Sequence, residues 1–333
     1  MASTDSSAGI MGAMSMPEAN SVTTQVEGRP LGLTNLDKPL FATGFTKAEV
    51  IDYYVRIAPV MLAHLEGRCI TRRRFPEGAD GDSFYEKNLP GATPEWVVRQ
   101  RVDASSVPID YPLADSPATL VWLANLAALE LHTPQWRIDT LTGACASADA
   151  PISLEAPDLV RSDRLVVDLD PGPGITMAGS CRAAMLVATE LAGLGLIPFV
   201  KTSGNKGLQV FAPIEPTAWQ LVVEQARAFA QRLASQYPET FVAVMAKERR
   251  AERIFVDYLQ NQAARNTITP YSLRARPFES VSTPLSWDEV AAVGERDTLS
   301  FTAGQVLQRV EEHGDLWHEL LDPACAAPLP TLG

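Results

Sequence analysis

Residues 164–170 read Arg-Leu-Val-Val-Asp-Leu-Asp, and Pro171-Gly172-Pro173-Gly174 follow at once. A β-branched apolar run closed by two Pro-Gly pairs reads as a strand running into a turn. Outward from it, residues 178–195 read as a helix and 196–202 as a strand. Residues 203–207 make a tight loop, 208–214 a strand, 217–236 a helix and 253–259 another strand. Two short helices, over 286–293 and 302–320, complete the pattern. The order predicts an open sheet with helices on one face, an α+β (α/β layered) module over 151–320. Residues 29–150 read as a separate N-terminal α/β module. Its first helix starts after Thr46 as N-cap, with Val50, Ile51, Tyr54, Ile57, Val60 and Met61 on one face. Its second, mostly apolar, is expected over 118–132 and ends in His132. Residues 1–28, rich in Ser, Ala, Gly and Met, read as a disordered leader, and 321–333 as a tail.

The chain has 333 residues, 46% of them hydrophobic, enough for about two domains with real cores. No apolar run reaches the roughly 20 residues of a membrane span, and the start lacks the pattern of a secretory signal. The four cysteines, at 69, 145, 181 and 325, form no C-x-x-C pair, which argues against a zinc knuckle or a disulfide scaffold and for reduced thiols in a cytoplasmic protein. The net charge of −12 argues by itself against a nucleic-acid partner. Its distribution argues otherwise. Ten of the acids fall within 277–333, whereas residues 247–276 hold seven bases against three acids, and residues 65–74 hold four arginines against one glutamate. Two basic islands can form a binding face on an acidic protein.

Asp168 and Asp170 lie two apart at a strand end, so both carboxylates leave the same face. They suit one or two hard divalent cations, or serve as solvated carboxylates capping a turn. Asp257 lies in an otherwise apolar strand, where a charge needs a partner or a metal. A third carboxylate completes a two-metal centre for phosphoryl transfer; a buried ion pair with a nearby arginine is the alternative. The loop Ser203-Gly204-Asn205-Lys206-Gly207 can turn backbone N–H groups and a lysine toward an anion, or be an ordinary turn. If Tyr271–Arg276 is extended, Arg274 and Arg276 share a face and suit a triphosphate. Arg72, Arg73 and Arg74 beside Phe84, Tyr85 and Lys87 suit a strand-tracking surface with a stacking platform, or a charged loop.

Together these segments resemble the polymerase domain of the bacterial end-joining ligase and its stand-alone relatives in the archaeo-eukaryotic primase superfamily. The stretches that carry the resemblance begin LDKPLFATGFTKAEV (from residue 36), FYEKNLPGATPEW (84), ATLVWLANLAALELHTPQWR (118), RLVVDLDPGPG (164), KTSGNKGLQV (201), RIFVDYLQN (253) and NTITPYSLRARP (266). The resemblance covers residues 33–320 and implies a primase-like core with an RRM-like sheet. It implies metal ligands at Asp168, Asp170 and Asp257, holding two Mn²⁺ or Mg²⁺ ions. It implies nucleotide contacts at His132, Ser203, Gly204, Lys206, Gln209, Arg250, Gln260, Ser272, Arg274 and Arg276. DNA contacts fall on Lys38, Lys47 and Arg73, where a 5′-phosphate is held, and on Phe84 and Tyr85; Arg72 and Lys87 extend that island. One position departs: the loop motif S-G-x-K-G-x-H ends here in Gln209, which donates a hydrogen bond but carries no charge. The implied protein is a monomeric, cytoplasmic, nucleoid-associated primase-polymerase. It works on gapped or primer-template DNA with nucleoside triphosphates, preferably ribonucleotides, beside an ATP-dependent DNA ligase. A metal-dependent phosphoesterase and a non-catalytic DNA-end-binding module are the rivals.

Overall fold

The strand at residues 164–170 is the middle of a longer one, Val160–Pro171, that organises the molecule. The computed structural model describes residues 21–103, 107–138, 151–155, 160–246 and 250–332. The long strand pairs antiparallel with Leu208–Ala218 on one side and with Ile254–Asp257 on the other. Phe199–Thr202 and Pro284–Leu285 extend the sheet beyond the first, Phe241–Val242 beyond the second, and Trp136–Ile138 joins the strand's start.

Side-chain alternation assigns the two faces. Leu165, Val167 and Leu169 point to one side, where the helices Met177–Gly193 and Trp219–Gln236 cover them with Ala183, Val187, Phe229 and Leu233. Val166 points to the other, into a small cluster with Phe199, Phe211 and the fully buried Trp317. Farther along this second face come Asp168 and Asp170, beyond the reach of that cover.

A second sheet runs Thr267–Ile268, Ala128–Thr133, Thr71–Arg74, Phe84–Glu86. The helices Lys47–Leu65 and Pro117–Asn125 pack against its neighbourhood. Thr46 caps the first as expected, in a capping box with Glu49. Leu273, Val281, Ala303, Val306 and Leu307 from the C-terminal part also enter this core, so the two cores do not divide at residue 150.

Four expectations change. Residues 118–132 are not one helix: the helix stops at Asn125, Ala127 adopts a left-handed φ of 55°, and Ala128–Thr133 continues as a strand. All six residues of that strand are buried. Leu129 and Leu131 do alternate with Glu130 and His132, but the alternation spans only four residues at the end of a mostly apolar run, which reads as a helix. Residues 21–28, assigned to the leader, form a hairpin instead: Ser21–Val26 pairs with Arg29–Thr34 across Glu27-Gly28, both at positive φ. Residues 1–20 of that assignment lie outside the described residues, as does Cys145. The strand expected to reach residue 259 stops at Asp257, whose carboxylate accepts from Leu259 N at 3.0 Å and starts a 3-10 turn, Tyr258–Asn261. Likewise the last long helix is Ala303–His313, ended by Gly314 at a φ of 69°. No helix of the described residues is long and apolar enough to cross a membrane.

Candidate active site

The strand register builds the site. Asp168 lies directly opposite Asp257 on one neighbouring strand and opposite Gln209 on the other; Gln209 in turn lies opposite Lys201. Directly opposed residues share a face. A polar row therefore crosses four strands, Asp257–Asp168–Gln209–Lys201, with Asp170 one step beyond Asp168. The three carboxylates that the sequence singled out do meet on one face.

Their electrostatics show the strain of that meeting. Burial, then the adjacent Asp170 and Asp257 charges, push the Asp168 carboxyl up to about 7, against a hydrogen bond from Gln209. Asp170 is raised as well, by burial and then Asp257, with Arg250 opposing. Like charges this close favour protonation unless a cation intervenes. Asp257 is held by its neighbours: Oδ2 accepts from Gln260 Nε2 at 2.9 Å while Oδ1 takes the Leu259 N–H. Among the described residues, no three His, Cys, Asp or Glu side chains already close a metal cage. The donor set, three oxygen ligands with mutual repulsion, nevertheless fits hard divalent ions.

A cavity of about 400 Å³ opens over this face. It is lined by His132, Asp168, Asp170, Ser203, Lys206, Gln209, Arg250, Gln260 and Arg274, all singled out by sequence. Gly204 and Arg276 line an adjoining cleft of about 780 Å³, which shares Asn205 and Lys206 with the first. Arg274 and Arg276 thus serve two connected spaces rather than one face. Gly204 has a φ of 69°, and a Cβ there would strike the Arg274 side chain, so glycine is required. Lys206 is exposed, and neither it nor Arg276 has a carboxylate partner among the described residues. Arg250 lies 3.8 Å over the Phe255 ring and donates to the Met245 carbonyl.

His132 reaches the cavity from a strand, not from a helix end. Its Nε2 lies 3.0 Å from Glu130 Oε2, and burial holds the ring below the usual histidine range despite that carboxylate. Glu130 is buried and also accepts from Arg274 Nη1 at 3.2 Å and from the Ala275 N–H. Glu130 was missed by sequence reading. Its signal was its place two residues before His132 on one strand face, which the helix reading concealed. Lys201 was missed too. A fully buried lysine in an apolar strand carries the same signal that picked out Asp257. Asn266 and Thr267, also in the cavity wall, carried no signal.

Some expected contacts lie elsewhere. Ser272 is fully buried below the site, where its Oγ accepts from Leu131 N and donates to the Leu273 carbonyl; it does not reach the cavity. Arg72 is fully buried too, bonded to Glu86 and to the Asn88 carbonyl, so it offers DNA nothing. Arg73 bonds Ser83 and stacks on Tyr85, and Lys38 pairs with Glu77 at 3.1 Å. Lys47 is buried, donates to the Thr34 carbonyl at 2.7 Å and is lowered to about 8, by burial and then Lys38 and Arg74. Lys87 lines a small separate pocket with Cys69, Tyr111 and Trp136. Phe84 and Tyr85 stand exposed at a sheet edge.

Residues 46–317 match the family described as LigD, primase-polymerase domain. The chain belongs to that family. It is 40% identical over 286 residues to the multifunctional non-homologous end joining protein LigD of Mycolicibacterium smegmatis, covering 85% of this chain and 35% of that protein. To the Mycobacterium tuberculosis LigD it is 41% identical over 290 residues, 86% of this chain and 36% of that one. The bifunctional LigD of Bacillus subtilis is 30% identical over 289 residues, 85% of this chain and 43% of its own. The primase-polymerase chain thus spans between one third and one half of these relatives' lengths. Among solved structures, the polymerase domain of M. tuberculosis ligase D in complex with DNA superposes with a TM-score of 0.79 at 39% identity. That match covers 87% of this chain and 97% of the other. It bears out the mixed helix-and-sheet, primase-polymerase reading of the fold.

Proposed function

We propose that this primase-polymerase is a DNA-dependent nucleotidyltransferase that extends a primer 3′-OH at gapped or broken DNA and releases pyrophosphate. One observation carries the reading: Asp168 and Asp170, with Asp257 directly opposed to Asp168 on the next strand, face a cavity that Ser203, Lys206 and Arg274 also line, and Gly204 and Arg276 line the cleft next door. Acids to hold cations and bases to hold phosphates around one space suit a triphosphate. The family assignment and the likeness to a polymerase domain bound to DNA support it.

Asp168, Asp170 and Asp257 would hold two Mn²⁺ or Mg²⁺ ions, which supply activation of the 3′-OH and neutralisation of the leaving pyrophosphate. Ser203, Lys206, Arg274 and Arg276 bind the triphosphate. Arg250 opposes the charge of Asp170 and, with Gln260, shapes the same wall. Glu130 orients both Arg274 and His132, and His132 presents a neutral ring to the nucleotide sugar, where a ribose hydroxyl can bond. Phe84 and Tyr85 stack on DNA, and Lys38, Lys47 and Arg73 receive a 5′-phosphate. An ATP-dependent DNA ligase acting on the filled gap is the partner that this reaction calls for.

A phosphoesterase would use the same carboxylates, but it has no need of a loop lysine and two further arginines. Primer extension decides. Labelled ribonucleoside triphosphate, Mn²⁺ or Mg²⁺ and a gapped duplex should give a product lengthened at its 3′ end. Hydrolysis of the triphosphate without extension would favour the phosphoesterase, and DNA binding with neither reaction would favour the end-binding module.

A further inference from the structure

We infer that Lys201 is a positioning residue for this reaction: it fixes the side-chain amide of Gln209 so that the NH₂ faces Asp168. The inference rests on the polymerase reading of the cavity. Lys201 itself does not line that space; Gln209 does. Lys201 Nζ donates to Gln209 Oε1 at 2.6 Å and to Ser282 Oγ at 2.6 Å. The Ser282 hydroxyl passes its own proton to the Thr202 carbonyl at 2.9 Å, so it is committed as an acceptor toward Lys201.

The chemistry of the groups fixes the direction. A lysine amine facing two oxygens acts as a donor, and a primary amide has one accepting end and one donating end. With Oε1 held by Nζ, Nε2 is turned to the other side, where Asp168 lies directly across the strand pair. An amide free to rotate would present its carbonyl to a carboxylate in part of its population, which is repulsive. The register makes this economical: Lys201, Gln209 and Asp168 occupy directly opposed sites on three adjacent strands, so no side chain leaves its strand's natural direction. Burying a lysine in an apolar sheet is costly and an apolar residue of like length would fill the space, so its retention here calls for a role. Gln209 stands where the resembling motif has histidine. A glutamine amide has one accepting and one donating end, and a neighbour must sort them. Lys201 does that sorting.

The test is a double-substitution cycle with K201M and Q209L, read by primer extension on a gapped duplex and by thermal unfolding. K201M should lower kcat about tenfold, the equivalent of one hydrogen bond, with little change in KM for the nucleotide. K201R, which keeps a donor, should restore much of it. In the Q209L background K201M should add no further loss. An equal loss in both backgrounds would overturn the inference, as would full kcat in a folded K201M protein. K201Q serves the same cycle if K201M does not fold. Independently of turnover, ¹⁵N-glutamine labelling should show a Gln209 side-chain NH₂ pair protected from hydrogen exchange, and K201M should abolish the protection. Unchanged protection overturns the positioning role; protected Gln209 with no extension by the unsubstituted protein overturns the polymerase reading alone.

Discussion

Two regions of the molecule carry dense charge of one sign, the acidic face of the central sheet and the arginine strand Thr71–Arg74, and they treat it in opposite ways. On the sheet face, Asp168 and Asp170 are pushed toward the protonated form by burial first, and then by neighbouring carboxylates, Asp170 and Asp257 for the former and Asp257 for the latter. Gln209 and Lys201 oppose this at Asp168, and Arg250 at Asp170. On the arginine strand, Arg72 and Arg74 both pair with Glu86, and Arg74 also donates to the Leu126 carbonyl. The first region is electrostatically unfinished and the second is largely complete. Uncompensated charge marks where a ligand belongs; compensated charge is part of the fold.

The sharpest way to break the comparison is at the acidic face. Replacing Asp168 and Asp170 with alanine should reduce primer extension at least about a hundredfold, because the site loses the charge that holds its cations. Affinity for gapped duplex, measured by fluorescence anisotropy, should persist. The same double substitution should raise the melting temperature in the absence of divalent ions, since it removes repulsion. A lower melting temperature would mean that the carboxylates are satisfied, not strained.

The arginine strand should respond in stability instead. Arg72→Ala should destabilise the fold by about 3 kcal/mol in urea unfolding, as expected for opening a buried ion pair. It should leave the salt dependence of DNA binding unchanged. Phe84→Ala with Tyr85→Ala should do the reverse, weakening binding about tenfold at unchanged stability, since a stacked base is worth about 1–3 kcal/mol. A reduced salt slope in Arg72→Ala would return that residue to the DNA surface.

Lys47 tests the idea at a single cation. Its folded pKa, about 8, lies below its ordinary value near 10.5. The unfolded chain therefore binds more protons between those values, and stability should rise as pH climbs from about 8 to 10.5. Lys47→Met should remove that rise. Adding a 5′-phosphorylated oligonucleotide at pH 7 should stabilise the unsubstituted protein more than its unphosphorylated twin, an advantage that Lys47→Met abolishes.

The smallest effect is expected at His132. Ribonucleotides should be incorporated more efficiently than deoxyribonucleotides with Mn²⁺ on one gapped template, and the ratio should shrink severalfold in His132→Ala. A site that bonds a hydroxyl disfavours the analogue lacking it. Equal efficiencies in the unsubstituted protein would point to a steric gate instead.

What was legible in the sequence follows the same division. Asp168 and Asp170 could be placed because period 2 on a strand fixes the face, and Asp257 because charge in an apolar strand demands an explanation. Both arguments are local. The fate of Arg72 was not local: Glu86 lies on the next strand, and nothing in the order of residues tells whether an arginine meets carboxylate or water. The helix expected over 118–132 failed for a different reason. Its second half alternates Leu129 and Leu131 with Glu130 and His132, but over four residues only, and the mostly apolar run before them masks that strand signal. That one misreading also hid Glu130, since its kinship with His132 exists only at strand spacing.

The core shared by the helices Lys47–Leu65 and Pro117–Asn125 has a consequence in time. It is completed by Val281, Ala303, Val306 and Leu307, far later in the chain than Leu131. At a synthesis rate of roughly 5–20 residues per second, about 10 to 35 seconds separate the emergence of its first part from its last. Through that interval the nascent chain presents an apolar surface that no residue yet made can close. The protein must cross this window each time it is built, and a slowed ribosome between residues 131 and 307 lengthens the exposure.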